Sequence, residues 1–320
     1  ILDVEIVDNL LIVSGMIGGI EFYDISNPEI LNHLNNLQLS GGGGGQGGGG
    51  GTKPNCIVAF GEYVYVTTNR GLGVINISNP NNPQYLGIVT GTDDYILENL
   101  DVSEQNDILA VAAHEDGVLI FDISNPANPN YITTINTENS WTVVFNQSEN
   151  SDENILFVAD EKILEIYSVD NGFSYLNSIE MSNAIKDIVV SYSPQGDILY
   201  LAIGSDGVAA YKIESDFNMI LVDTYNTSAM ANRLSTFDWE YGNVVVVSDW
   251  DDVEVLEANL IDNSLQLIGY KNTTRRTMAI ATNNNYIYSA EWASVQVFEY
   301  GEIDGPDIDL STYELNYPYV

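Results

Sequence analysis

The sequence predicts an all-β chain folded as a seven-bladed β-propeller with four antiparallel strands in each blade. Three observations predict it. A phrase made of a short strand, a glycine or acidic turn and a second strand returns seven times at a spacing near forty-five residues. The returning strands are runs of Val, Ile, Leu and Tyr bounded by Gly, Asn and Asp, the residues that favour and punctuate strands. Helical periodicity is absent, so almost no helix is expected.

The turn that opens the third strand of each unit falls at Gly19, Gly71, Gly117, Ile163, Gly207, Asp252 and Ser294. Successive spacings are 52, 46, 46, 44, 45 and 42 residues, the long first one containing a glycine tract. A strand-only period of this length is the signature of propeller blades, and it places the propeller over residues 1–302. The second strands read "LLIV", "YVYV", "ILAV", "ILFV", "ILYL", "VVVV" and "YIYS". Several are apolar throughout, which suits strands covered on both faces by neighbouring blades.

The third strands of the first units end on a shared corner, "DISNP" at Asp24 and Asp122 and "NISNP" at Asn76. Asn folds its side chain onto nearby backbone in an Asx-turn, and Pro fixes φ and offers no ladder donor. The phrase therefore stops a strand and starts the turn to the outermost one. Later copies decay to "SVDNGFSY", "KIESDFNM", "EANLIDNSL" and "EYGEIDG", which turn chemistry tolerates.

Composition narrows the function. With 46 acidic against 9 basic residues among 320, the formal charge is −37. Such a surface repels phosphate backbones and anionic lipid, so nucleic acid is excluded as a partner. Direct membrane insertion is not expected, because no apolar run reaches spanning length. Cys56 is the single cysteine, so no intrachain disulfide forms, and its neighbours "NCIVAF" read as a buried strand. The chain opens at Ile1 with neither Met nor a charged-then-apolar leader, which reads as a processed product.

An "LYVA"-like strand, a glycine turn, "V-x-V-x-D-I-S-N-P" and "P-x-x-L-G" together resemble the LVIVD repeat. Gly71 to Gly87 and Gly117 to Ile132 are the nearest copies, and the resemblance extends loosely over residues 1–300. It implies a β-propeller on secreted or surface proteins of bacteria and archaea, and it implies no catalytic residues. Residues 303–320 read as a linker or the start of a further module. Pro306, Ile308, Leu310 and Leu315 resemble the first strand of an Ig-like module. The seventh unit lacks an evident fourth strand, which either this tail or residues upstream of Ile1 would supply.

The tract from Gly41 to Gly51, broken only by Gln46, has no side chains to bury and much backbone entropy to lose. It reads as a loop between the first and second blades. An ordered polyglycine segment packed on itself or a partner is the sharper alternative.

The loop between second and third strands shares a face with the blade-to-blade connections. That face collects Arg70, His114, Glu115, Asp116, Asp160, Glu161, Lys162, Asp206, Asp249, Trp250, Asp251, Asp252, Glu291 and Trp292, and the connections add Asp93, Asp94, Tyr95, Trp141, Arg275 and Arg276. Carboxylates with aromatics suit a basic or sugar-like partner, and oxygen ligands suit Ca²⁺. "SDWDD" (Ser248 to Asp252) is the densest acidic stretch. Its Asp249, Asp251 and Asp252 are the metal candidates, although EF-hand spacing is absent, and Trp250 is the contact candidate. Tight hairpin turns explain the same acids without a ligand.

Signals of catalysis are poor. His33 reads as a surface residue of an outer strand, and His114 sits in a turn beside Glu115 and Asp116 rather than in a triad. No HExxH, GxSxG or phosphate loop occurs. The expected role is a secreted or cell-surface binding or scaffold protein without a cofactor. It would engage a protein, a glycan or another copy through one loop face. A channel-centred enzyme of the metal-assisted hydrolase or lyase type and a structural subunit of a surface assembly are the alternatives.

Overall fold

The computed structural model describes residues 1–15, 19–28, 30–39, 51–147, 154–192, 197–214, 217–237, 244–273, 275–301 and 311–316. Residues 41–50 of the glycine tract lie outside them, as do 302–310 and 317–320 of the tail. Among the described residues every regular element is a strand, and the strands form seven four-stranded antiparallel sheets, each in sequential order. No described helix is long and apolar enough to cross a membrane. The chain divides into two compact units, Ile1–Ser140 and Trp141–Val320.

The first unit holds three sheets. They are β1 (Asp3–Val7), β2 (Leu10–Gly15), β3 (Gly19–Asp24) and β4 (Asn32–Leu37); β5 (Pro54–Phe60), β6 (Tyr63–Thr68), β7 (Gly71–Asn76) and β8 (Gln84–Ile88); and β9 (Leu100–Ser103), β10 (Ile108–Ala112), β11 (Val118–Asp122) and β12 (Asn130–Ile135). Consecutive first strands adjoin, β1 with β5 and β5 with β9. The core lies between sheets. Ile12, Ile20 and Phe22 pack with Val64, Val66 and Ile75, and Tyr65 and Leu72 with Leu109 and Phe121. Covered on both sides, second and third strands gain from apolar residues at every position, which is why they run apolar rather than alternating.

The second unit holds four sheets. They are β13 (Ser140–Asn146), β14 (Ile155–Asp160), β15 (Ile163–Ser168) and β16 (Ser174–Glu180); β17 (Asp187–Ser191), β18 (Ile198–Ala202), β19 (Val208–Ile213) and β20 (Met219–Tyr225); β21 (Ala231–Thr236), β22 (Val244–Asp249), β23 (Asp252–Asn259) and β24 (Ser264–Asn272); and β25 (Thr277–Asn283), β26 (Tyr286–Glu291), β27 (Ser294–Glu299) and β28 (Ser311–Asn316). Packing between sheets repeats the same plan: Phe157 with Leu199, Tyr200 with Val245, and Val255 with Phe298. The tail segment read as a linker or further module supplies β28, which pairs with β27 from Ser294↔Asn316 to Glu299↔Ser311.

Local chemistry sets the strand ends. In the three corner phrases Asp24, Asn76 and Asp122 accept the backbone N–H of Ser26, Ser78 and Ser124 at 2.8, 3.0 and 2.8 Å. The next Asn then opens a β-turn with Pro second: Ile30 N donates to Asn27 O, Asn82 N to Asn79 O and Asn128 N to Asn125 O. The Asx acceptor common to all three is thus the leading Asp or Asn. Asn79 adds a bond from Asn81 N at 3.2 Å. In six sheets the third and fourth strands slip register at the same point, as at Ile120/Phe121 and Val255/Leu256. A bulge there bends the outer strand and increases its twist.

Candidate functional site

The sixth sheet turns from β22 to β23 through Trp250 and Asp251 alone, with Asp249 paired to Asp252. Trp250 adopts φ 47° to close the turn, and Asp251 N donates to Asp249 O. Alternation places Glu254 on the face of Asp252, two residues along. Asp249, Asp252 and Glu254 are 0 %, 5 % and 3 % exposed, and one carboxylate oxygen from each lies within 4.8 Å of the others.

The connection before β21 reaches over this group. The Ser228 hydroxyl lies 2.9 Å from Asp249 Oδ2 and 3.2 Å from Asp252 Oδ2. Ala229 N donates to Asp249 Oδ2 at 2.7 Å and Ser228 N to Glu254 Oε1 at 3.1 Å. The second oxygens, Asp249 Oδ1, Asp252 Oδ1 and Glu254 Oε2, are enclosed with no hydrogen-bond partner. Burial first, then Glu254 and Asp249, push the Asp252 carboxyl up to about 7. Burial likewise raises Glu254, against the bond from Ser228.

Beside this hairpin the Arg276 guanidinium lies over the Trp250 ring, 4.5 Å from its centre. Thr277 N donates to Trp250 O and Trp292 N to Arg276 O, both at 3.0 Å. Trp250 is half-buried, so the contact residue picked from the sequence is partly covered, whereas Trp292 is 53 % exposed. Glu291, next to it, is buried, with Ser294 Oγ 3.4 Å from its carboxylate. The structure therefore joins Trp250, Arg276 and Trp292 into one patch.

The remaining candidates separate. Asp251 is exposed, and its carbonyl accepts Thr273 N and Oγ1 at 3.2 and 3.0 Å. Asp160 is buried at the end of β14. Asp206 is half-buried and accepts Ser182 Oγ at 2.6 Å. In the first unit Glu115 and Asp116 are exposed, and His114 places Nε2 3.6 Å from Glu98 and Nδ1 3.3 Å from Asn139. His33 bonds Glu21 at 2.6 Å.

Two groups escaped the sequence reading. Glu254 was findable, since strand alternation from Asp252 leads to it; Ser228 and Ala229 were not, because only the fold brings that connection over the hairpin. The second group sits on first strands. Asp3 Oδ2 accepts Ile57 N at 2.9 Å, and Glu5 Oε1 accepts Ala59 N at 3.4 Å. Burial, then Asp3, push the Glu5 carboxyl up to about 8, with Asp101 adding to the rise.

The LVIVD repeat matches residues 53–91 and 101–137, the second and third sheets. No curated protein matches the sequence. Among solved structures, the computationally designed Ika8 protein is similar with a TM-score of 0.62 and 14% identity, covering 93% of this chain and 83% of its own. The WD40 repeats of RRP9 are similar with a TM-score of 0.69 and 9% identity, covering 91% and 86%. At such identity the likeness is one of fold. The chain thus carries LVIVD repeats in its second and third sheets and has the fold of a seven-bladed β-propeller.

Proposed function

We propose that this propeller is a non-catalytic binding or scaffold protein, secreted or displayed at a cell surface. It engages a protein, a glycan or another copy through a loop face. The observation that carries the reading is the Trp250–Arg276–Trp292 patch, where a tryptophan 53 % exposed adjoins a guanidinium stacked on a second indole. Exposed Trp and Arg are the residues that anchor interfaces. Acidic residues around such a patch favour a basic or sugar-like partner, and a charge of −37 keeps the chain soluble. Glu115 and Asp116 offer further exposed contacts in the first unit.

The test is binding of the labelled protein to a glycan array and to surface-protein extract, with sedimentation to detect self-association. Saturable binding that weakens at least about tenfold in Trp292→Ala, with the melting curve unchanged, is the expected result. A channel-centred hydrolase is the second reading, favoured by the elevated Glu5 carboxyl beside Asp3 and Asp101. Turnover of an ester, glycoside or phosphodiester panel that disappears in Glu5→Gln, without Trp292-dependent binding, would establish it instead.

A further inference from the structure

We propose that the sixth blade holds a calcium-type cation between Asp249, Asp252 and Glu254, positioned by the Ser228 hydroxyl and the backbone N–H groups of Ser228 and Ala229. The proposal stands apart from the partner-binding patch and needs no partner.

Two independent features point to a ligand. The first is convergence, because one oxygen from each carboxylate lies within 4.8 Å of the others. Calcium–oxygen bonds of about 2.3–2.6 Å span that separation across one ion. The second is incomplete satisfaction. Ser228 and Ala229 occupy one oxygen of each carboxylate, and the other oxygen of all three is enclosed without a partner. Buried carboxylate oxygens left unpaired are costly. Neutralisation by a basic side chain is not what the geometry provides, since Arg276 is stacked on Trp250. The donor set is all hard oxygen, which suits calcium rather than zinc or copper.

Comparison between blades sharpens the point. The register positions of Asp249, Asp252 and Glu254 hold Gly15, Gly19 and Glu21 in the first sheet, Thr68, Gly71 and Gly73 in the second, and Glu291, Ser294 and Gln296 in the seventh. Glu21 is bonded by His33 and Asn36. The hairpin itself therefore needs no acids. Three carboxylates at these positions add repulsion between directly paired like charges, which a divalent ion removes. The two residues between the ligands are Trp250 and Asp251, so an ion here also fixes the turn that carries Trp250.

The experiment is a thermal melt of the chelator-treated full chain with and without about 5 mM calcium, paired with terbium luminescence excited through tryptophan. A rise in midpoint of at least about 3 °C is expected, because an ion that binds only the folded state stabilises it. The rise should vanish in Asp252→Asn and in Glu254→Gln, and calcium should displace terbium at least about tenfold less well from either. It should persist in Glu62→Gln/Glu104→Gln, which removes only exposed acids. The metal-free midpoints of the two ligand variants should equal or exceed that of the native chain, showing that both fold. No rise in the native chain, or a rise undiminished in Asp249→Asn/Asp252→Asn/Glu254→Gln, overturns the proposal.

Discussion

Gly117 shows how much one position decides. Its φ is 81°, and a Cβ there would stand 2.2 Å from the Ile135 carbonyl oxygen. Gly117→Ala therefore combines left-handed strain with a backbone clash and should cost at least about 2 kcal/mol in urea melts. Glu5 offers a second test at this scale. Its carboxyl rises from 4.5 to about 8 on folding, pushed by burial and by Asp3 and Asp101. Between those values the folded state keeps a proton that the unfolded state has lost, so stability falls as pH rises through this window. Glu5→Gln should flatten the fall, with a difference from the native chain near zero at about pH 4 and roughly 2–4 kcal/mol at about pH 9. An unchanged slope in urea melts across that range would refute this. Neither effect was legible in the sequence: the identity of Gly117 was plain, but the carbonyl against it comes from another strand, and the burial of Glu5 beside Asp3 and Asp101 is set by the packing of β1 against its neighbours.

At the scale of the element, the corner phrase was legible in position and partly in mechanism. The sequence placed the stop after the third strand and assigned it to Asx-turn and proline chemistry, and both operate. The side chain that does the shared work is the leading Asp or Asn, because it sits two residues before the N–H it captures. Asn76 accepts both the N–H and the hydroxyl of Ser78, at 3.0 and 2.6 Å. Asn76→Ala should cost about 0.5–1.5 kcal/mol by chemical denaturation. Asn76→Asp should be close to neutral, since Asp24 and Asp122 perform the same task. The hairpins of the sixth and seventh sheets show where pattern reading stops. Asp249 and Asp252 were visible as a dense acidic run, yet a carboxylate meets its partners through the pleat and through a connection twenty residues upstream. The run holds exposed Asp251 together with buried Asp249 and Asp252, whereas buried Glu254 lies outside it.

For the whole molecule, tandem copying is what made the fold legible. The seven turn positions read from the sequence coincide with the starts of β3, β7, β15, β23 and β27, and precede β11 and β19 by one residue. A repeat reports its own register many times over, so drift in one copy does not erase it. The seventh outer strand was the exception, because the nine residues separating β27's neighbour Gly301 from β28 break the period. That strand gives the last prediction. Pairing with β28 covers the edge of β27 along its whole length, and β27 carries the fully buried Val295, Val297 and Phe298. Ending the chain after Gly301 would leave a hydrophobic third strand as an open edge, the condition that promotes strand addition between molecules. The truncated chain should melt at least about 5 °C lower and aggregate on heating. A synthetic peptide spanning residues 302–320 should recover part of the loss by pairing in trans, because the register is set by β27 and not by the connection. A truncated chain that melts at the native temperature and stays monomeric would show that β28 contributes nothing to the seventh blade.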